Sequence, residues 1–330
     1  MNIFVTGACG FIGSHLVEKL VQKNYKVKAL SFYNARGMNG WLDHIDKKVL
    51  NDLEIIQGDI RDSYFLEKNF KKMDAVLHLA ALISIPYSYY APKSYIDTNI
   101  IGTYNVLNAS KKNNISKTII TSTSEVYGTA QYTPIDEKHP LNAQSPYAAS
   151  KIGADQLALS FYRSYNQPIN ILRPFNTFGP RQSARAIIPT IITQILSNKK
   201  YIKLGNLNPT RDFTFVNDTV DAFIASIKSK PSGEIINVGN KFEISIRELV
   251  DLFRNELNYE FKVLVDKKRI RPKKSEVFRL LSSNTKSKKI LGWKPKYSGL
   301  IGFKKAIKET INWFNQNDNL KSYKSNIYNF

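Results

Sequence analysis

Tyr147 and Lys151 stand four residues apart in "SPYAASKIGADQLALSFY", and the apolar periodicity that follows them is helical. Residues at i and i+4 share one helix face, so the Lys151 ammonium is expected beside the Tyr147 phenol, lowering its pKa by stabilising phenolate. A tyrosine tuned in this way takes a proton from an alcohol as hydride leaves the carbon. The spacing alone also describes ordinary surface neighbours; its context gives it weight. Upstream, "TSTSEVYG" at 121–128 brings Ser124 and the carboxylate of Glu125 to the end of the apolar run that begins at Ile115. A carboxylate where a buried strand stops lies where open α/β sheets collect their ligands.

A second chemical feature lies at the amino end. "FVTGACGFIGSHLVEKL" places Gly7, Gly10 and Gly13 between a strand pattern and a helix pattern. Glycines let the backbone approach a pyrophosphate, and the helix amino end offers it unpaired N–H groups and a positive dipole. About 20 residues on, an acid is usual for the adenosine ribose. Here "VKALSFYNARG" has Ser31 at that place and Arg36 close behind. A hydroxyl and a guanidinium can bind a 2'-phosphate that a carboxylate would repel, so NADP is expected in preference to NAD. Asp59 in "QGDIRD" suits the adenine amino group, and equally an ordinary helix cap.

These groups need a scaffold, and the pattern supplies one. Strand-like runs at Asn2 to Thr6, Lys26 to Leu30, Leu53 to Gln57, Ala75 to Leu79 and Lys117 to Thr121 alternate with helical stretches such as Phe11 to Lys23 and Ile96 to Asn113. Strand, helix, strand in this order predicts an α/β fold, a Rossmann doubly wound parallel sheet. Past about Arg173 the alternation loosens around Pro174, Pro180 and Pro189, and short strands such as Ile235 to Val238 appear. The expected division is a dinucleotide-binding domain over 1–175 and a smaller mixed α/β domain over 176–330, partly interleaved with the first.

The chain has 330 residues, room for a sizeable core, and a formal charge of +21 from 48 basic and 27 acidic side chains. Such a surface attracts phosphates. Lysine is nevertheless spread along the whole chain, with only Lys262 to Lys296 locally dense, so no nucleic-acid partner is expected. The apolar runs are far shorter than the ~18 residues of a membrane span, and Met1 leads directly into a strand pattern, so no membrane partner and a cytoplasmic protein are expected. One cysteine, Cys9, excludes an internal disulfide, and the four histidines lack metal-ligand spacing, so no metal is expected. The cluster "IPYSYYAPKSY" at 85–95 reads as a mobile loop over the site, or as core or dimer packing.

With these residues in view, the chain resembles the extended short-chain dehydrogenases/reductases of the nucleotide-sugar epimerase and dehydratase group over nearly its full length. The matching marks are the glycine turn, "HLAA" at 78–81, Thr123, Tyr147 with Lys151, "RPFNTFGPR" at 173–181, "RDFTFVND" at 211–218 and "LGWKP" at 291–295. The resemblance implies a dinucleotide in the amino-terminal domain, a sugar nucleotide in the other, and a homodimer built on helices around 96–113 and 148–163. It adds Phe11, Ile12, Ile60, Leu79, Ala80, Ala81 and Asn99 on the cofactor side, Asn99 as an organiser of backbone. On the substrate side it adds Ser84, Asn176, Arg185, Ile188, Arg211, Arg271 and Glu276. Arg211 and Arg271 suit pyrophosphate because the guanidinium fork gives paired bonds. Glu276 suits a guanine edge, or a neighbouring lysine.

Within the group, epimerases of the UDP-galactose type have no acid at position 125, whereas dehydratases and decarboxylases do. The dTDP-glucose dehydratases have an Asp just before it; Ser124 here is similar to the GDP-mannose 4,6-dehydratases. That pattern implies oxidation at C4 with Tyr147 as base and Thr123 bonding the same oxygen. Glu125 then takes the C5 proton and helps expel the C6 hydroxyl as water, after which hydride returns to C6. "YNARGMNGWLD", "FNTFGPRQSARAIIPTIITQIL" and "RIRPKKSEVFRLL" resemble bacterial dehydratases of legionaminic acid synthesis. They imply GDP-N-acetylglucosamine as substrate, with UDP-N-acetylglucosamine next. A UDP-glucuronate decarboxylase, a UDP-sugar 4-epimerase, and a non-catalytic dinucleotide-sensing or RNA-binding protein are the alternatives.

Overall fold

The computed structural model describes residues 1–316 and 319–328. The apolar runs become β1 (Asn2–Thr6), β2 (Lys26–Phe32), β3 (Leu53–Gly58), β4 (Ala75–His78), β5 (Lys117–Thr121) and β6 (Ile169–Pro174). Later come β7 (Asn176–Phe178), β8 (Tyr201–Leu204), β9 (Thr210–Phe215), β10 (Glu234–Val238), β11 (Glu243–Ser245) and β12 (Lys262–Val265). Seven strands form one parallel sheet in the order β10-β6-β5-β4-β1-β2-β3. Val5 stands between Ala29 and Leu77 in register. With helices on both faces the strands read as continuous apolar runs, and Ile3, Val5, Leu77 and Ile119 are fully buried. The order reverses beside β1, which opens a crevice at the carboxyl ends of the strands.

Beyond β6 the chain builds a three-stranded sheet, β11-β9-β7, and a parallel pair, β12-β8. β10, in the region expected to interleave with the first, pairs with β6 at the edge of the large sheet. The chain therefore returns to its first layer after leaving it. Among the described residues no helix is long and apolar enough to cross a membrane.

The helix Pro146–Tyr165 starts cleanly because Ser145 accepts a bond from Ala148 N at 3.1 Å and Pro146 fits the first turn. Its row Tyr147, Lys151, Asp155, Ala158 is buried, facing the sheet. The stretch Ile96 to Asn113, read as one helix, divides into a π-helical turn, Ile96–Ile101, and an α-helix, Gly102–Lys112. Such wide turns often serve a site. Here it carries Asn99, whose amide bonds both the N and O of Leu82 at 2.9 Å and Ser150 Oγ at 2.9 Å. The 85–95 cluster forms two short helices, Ile85–Tyr90 and Pro92–Tyr95, with Tyr95 fully buried beside Tyr147.

Candidate active site

One cavity of about 1340 Å³ follows the crevice from β1 to the smaller sheets. Its floor at one end is the turn after β1. Gly7 has φ 67°, and a Cβ there would sit 2.6 Å from Ala80 N, so the turn and the end of β4 touch through bare backbone. The helix Phe11–Gln22 begins at Gly10 with no side chain capping it, which leaves its first N–H groups for an anion. Gly7, Gly10, Phe11, Ile12 and Gly13 line the cavity, as do Asp59, Ile60, Leu79, Ala80 and Ala81. This cradle fits a dinucleotide pyrophosphate. Asn99 stands behind the wall and orders the backbone at Leu82.

The adenosine end corrects two expectations. Leu30 and Phe32 line the cavity, and Ser31 between them on β2 does not. It is buried and bonds the Cys9 thiol. Arg36 is exposed and stands off the cavity wall. Neither is placed to hold a 2'-phosphate, so the reason for preferring NADP falls away. Burial acts to raise the Asp59 carboxyl, but the bonds from Arg61, including Nη2 at 2.6 Å, outweigh it and hold it below its usual range.

The chemical centre gathers Thr123, Ser124, Glu125, Tyr147 and Lys151 on one wall of the cavity. Thr123, two residues past the end of β5, accepts a bond from Glu125 N at 3.2 Å, which starts the short turn Ser124–Tyr127. Burial pushes the Tyr147 phenol above its ordinary value; a bond with the Thr123 hydroxyl opposes this, and the Glu125 charge adds to it. The expected lowering by Lys151 is absent. The ammonium donates to Thr121 O at 2.5 Å, and burial, opposed by Asp155, brings Lys151 down to about 8.

Beneath the centre lies a buried polar chain that the sequence reading did not single out. Asp155 Oδ2 accepts from Ser122 Oγ at 2.8 Å and from Arg173 at 3.1 and 2.9 Å. Arg173 also donates to the Tyr127 hydroxyl at 2.9 Å, which donates to Asn237 at 2.7 Å. The available signal was Asp155 itself, an acid one turn beyond Lys151 on the buried face.

Across the cavity stand the groups expected at a substrate. Arg211 and Arg271 flank Glu276 at 3.6 and 3.9 Å, and the charge of Glu125 also acts on Arg211. Ser84 caps the helix Ile85–Tyr90, and Ile188 is buried on the helix Ile187–Leu196. Asn176 Oδ1 is buried without a hydrogen-bond partner among the described residues, and Arg185 lies exposed at the mouth. All of these line the cavity. So do Arg181, Arg269 and Tyr328, none of which was singled out as a site residue; Arg181 is paired with Glu18 at 2.5 Å. His78 packs between the Thr6 and Thr103 hydroxyls, its pKa driven down to about 3 by burial. Among the described residues no cluster of His, Cys, Asp or Glu is grouped to hold a metal.

A doubly wound parallel sheet, a glycine turn after its first strand and Thr123, Tyr147 and Lys151 on one cavity wall define an extended short-chain dehydrogenase/reductase. The family model described as GDP-mannose 4,6 dehydratase matches residues 4–310, and the chain belongs to that family. A putative UDP-glucose 4-epimerase of Methanocaldococcus jannaschii is 36% identical, with 96% of this chain and 99% of that protein covered. The human dTDP-D-glucose 4,6-dehydratase is 34% identical, with 96% and 90% covered. Among solved structures, the UDP-N-acetylglucosamine 4-epimerase of Methanobrevibacter ruminantium M1, in complex with UDP-N-acetylmuramic acid, is 33% identical. It aligns with a TM-score of 0.84 over 95% of this chain and 98% of that one. The dTDP-glucose 4,6-dehydratase of Streptomyces venezuelae, with NAD bound, is 28% identical with the same TM-score, over 97% and 98%.

Proposed function

We propose that the protein is a sugar-nucleotide 4,6-dehydratase that converts GDP-N-acetylglucosamine to its 4-keto-6-deoxy derivative, acting as a cytoplasmic homodimer. The observation that carries the reaction is Glu125, a carboxylate 9% exposed on the same cavity wall as Thr123 and Tyr147. A 4-epimerase only moves hydride off and back at C4; it has no use for a second base. The N-acetylglucosamine and the guanine rest on the resemblance of 33–43, 175–196 and 269–281 to dehydratases of legionaminic acid synthesis. For the dimer, Ile101 and Tyr104 leave apolar surface exposed on one of the two expected helices, and Tyr165 does so at the end of the other.

The glycine cradle and the wall from Asp59 to Ala81 would hold a nicotinamide dinucleotide, NAD in preference to NADP given where Ser31 and Arg36 stand. Bound there, it supplies a hydride acceptor and donor. The chain's own groups handle the protons. Tyr147 takes the C4 hydroxyl proton, and the Thr123 hydroxyl, already bonded to the phenol, bonds the same oxygen. Lys151, one turn along the same helix face and at about 8, keeps its charge at neutral pH, with its ammonium held on the Thr121 carbonyl. The 4-ketone acidifies C5. Glu125 removes that proton and passes it to the C6 hydroxyl, which leaves as water. Arg211 and Arg271, with one carboxylate between them, carry surplus positive charge for the diphosphate.

The test is mass spectrometry of the holoenzyme incubated with GDP- and UDP-N-acetylglucosamine. Loss of one water from the GDP sugar is expected; loss from the UDP sugar alone moves the base assignment. A second reading, a UDP-sugar 4-epimerase, is favoured by the 36% and 33% identical relatives. An isomer of unchanged mass would establish it and overturn the dehydratase, as would carbon dioxide released from UDP-glucuronate.

A further inference from the structure

Residues 319–328 run along the outside of the cavity and are tied down at three points. Tyr323 packs against Trp41, Trp313 and Phe314, with ring centroids 6.2, 6.5 and 4.9 Å apart. The main-chain oxygen of Ser325 accepts from Lys199 Nζ at 2.8 Å. Tyr328 then lies over Arg269, the guanidinium carbon 4.7 Å from its ring centroid. Ser322 and Tyr328 both line the cavity. The segment thus spans two ends of it: Trp41 lies in the Gly40–His44 turn on the cofactor side, and Arg269 lies two residues before Arg271 on the other.

We infer that this segment is part of the ligand site, and that the Tyr328 ring on Arg269 is the outer wall against which the nucleoside of a nucleoside diphosphate rests. The inference rests on the reading of the cavity as a sugar-nucleotide site. An aromatic ring offers a flat apolar face, and a guanidinium behind it fixes its plane by cation–π attraction. Nucleobases stack on such a face whatever their hydrogen-bonding edge. The surroundings suit the rest of that ligand, because Arg271 acts on the Tyr328 phenol and stands beside Glu276, where diphosphate and ribose would follow the base. Tyr328 is then a binding residue supplied from far along the chain, and Tyr323 and Ser325 are the residues that position it.

The experiment is calorimetric titration of GDP and UDP, which cannot turn over, into the holoenzyme and its Tyr328→Ala and Tyr328→Phe variants, with steady-state kinetics alongside. Tyr328→Ala should weaken nucleoside diphosphate binding roughly tenfold and raise KM in step with little change in kcat. Tyr328→Phe, which keeps the ring, should bind within about twofold of the parent, as stacking alone requires. Parent-like affinity in Tyr328→Ala overturns the inference, and so does an equal loss in Tyr328→Phe. Failure here is separable from failure of the proposed reaction. Tight diphosphate binding that depends on Tyr328 without dehydration sinks only the reaction. Dehydration with unchanged affinity in Tyr328→Ala sinks only the wall.

Discussion

Replacing Asp155 by Asn changes one charge and almost no volume, yet it should be felt in both stability and catalysis. The side chains of Asp155 and Arg173 are 0% and 1% exposed, and one carboxylate oxygen takes three hydrogen bonds from Ser122 and Arg173. In Asp155→Asn the amide oxygen can still accept from Arg173, but the guanidinium loses its counter-charge and keeps only neutral partners, among them the Tyr127 hydroxyl at 2.9 Å and the Tyr127 ring at 4.9 Å. Removing one partner of a buried pair costs ~3–5 kcal/mol. Against a total stability of ~5–15 kcal/mol, that is enough to move a urea midpoint visibly. The second effect is on Lys151, whose pKa of about 8 is held up by Asp155 against burial. Without that carboxylate it falls further, so the ammonium is lost at lower pH as pH rises. The alkaline limb of the kcat/KM profile moves toward acid. The double variant Asp155→Asn with Arg173→Met separates the two effects. It removes the guanidinium that Asp155→Asn leaves without a counter-charge, so most of the stability should return, while the shifted limb remains. A urea midpoint for Asp155→Asn equivalent to less than about 1 kcal/mol, or an unmoved alkaline limb, would refute this account of the buried pair.

Glu125→Gln should lower dehydration by ~10²–10⁴ while C4 oxidation continues, read as reduced-nicotinamide absorbance appearing without product; dehydration at the parent rate would end the assignment. Gly7→Ala would bring a Cβ to 2.6 Å from Ala80 N at φ 67°. It should cost ~1–3 kcal/mol and release cofactor, measured by melting temperature and by the nucleotide retained through gel filtration. Lys151 has its folded pKa near 8 against an ordinary 10.5. The unfolded chain therefore binds the extra proton between those values, and this residue's contribution makes stability rise with pH across that window. In urea titrations from pH 8 to 10, Lys151→Met should lack that component; an identical slope in the two proteins would argue against a buried ammonium.

The candidate site was largely legible because its signals are local. A glycine turn between strand and helix, or a phenol and an ammonium one turn apart, has its geometry set by covalent spacing, and the structure keeps both on the cavity wall. Ser31 lies buried off the cavity wall for an equally local reason, its phase on β2. A strand turns alternate residues to opposite faces, and Leu30 and Phe32 hold the face toward the cavity. The partner of β10 was not legible, because a short β-branched run says nothing of its partner, and only the tertiary fold sets Glu234–Val238 beside β6.

The behaviour of Tyr147 depends on both kinds of information at once. Spacing puts Lys151 on the same helix face, but burial and the Thr121 carbonyl decide where its ammonium points and how readily it keeps its proton. Those in turn depend on Asp155, which is held by Arg173 from β6, a strand that the helix joins only in three dimensions. Glu125 is similar. Its place after β5 is written in the chain, yet its charge acts on the Tyr147 phenol and on Arg211 from β9, groups that only folding brings to it. A base that is to accept a proton at C5 and release it at C6 has to be held within reach of both positions, which is a matter of placement by the fold. The Arg211 guanidinium lies within reach of the Glu125 charge, so Arg211→Gln should slow the C5 proton transfer more than the C4 oxidation, measured by solvent deuterium entry at C5. Equal slowing of both steps would assign Arg211 to diphosphate binding alone.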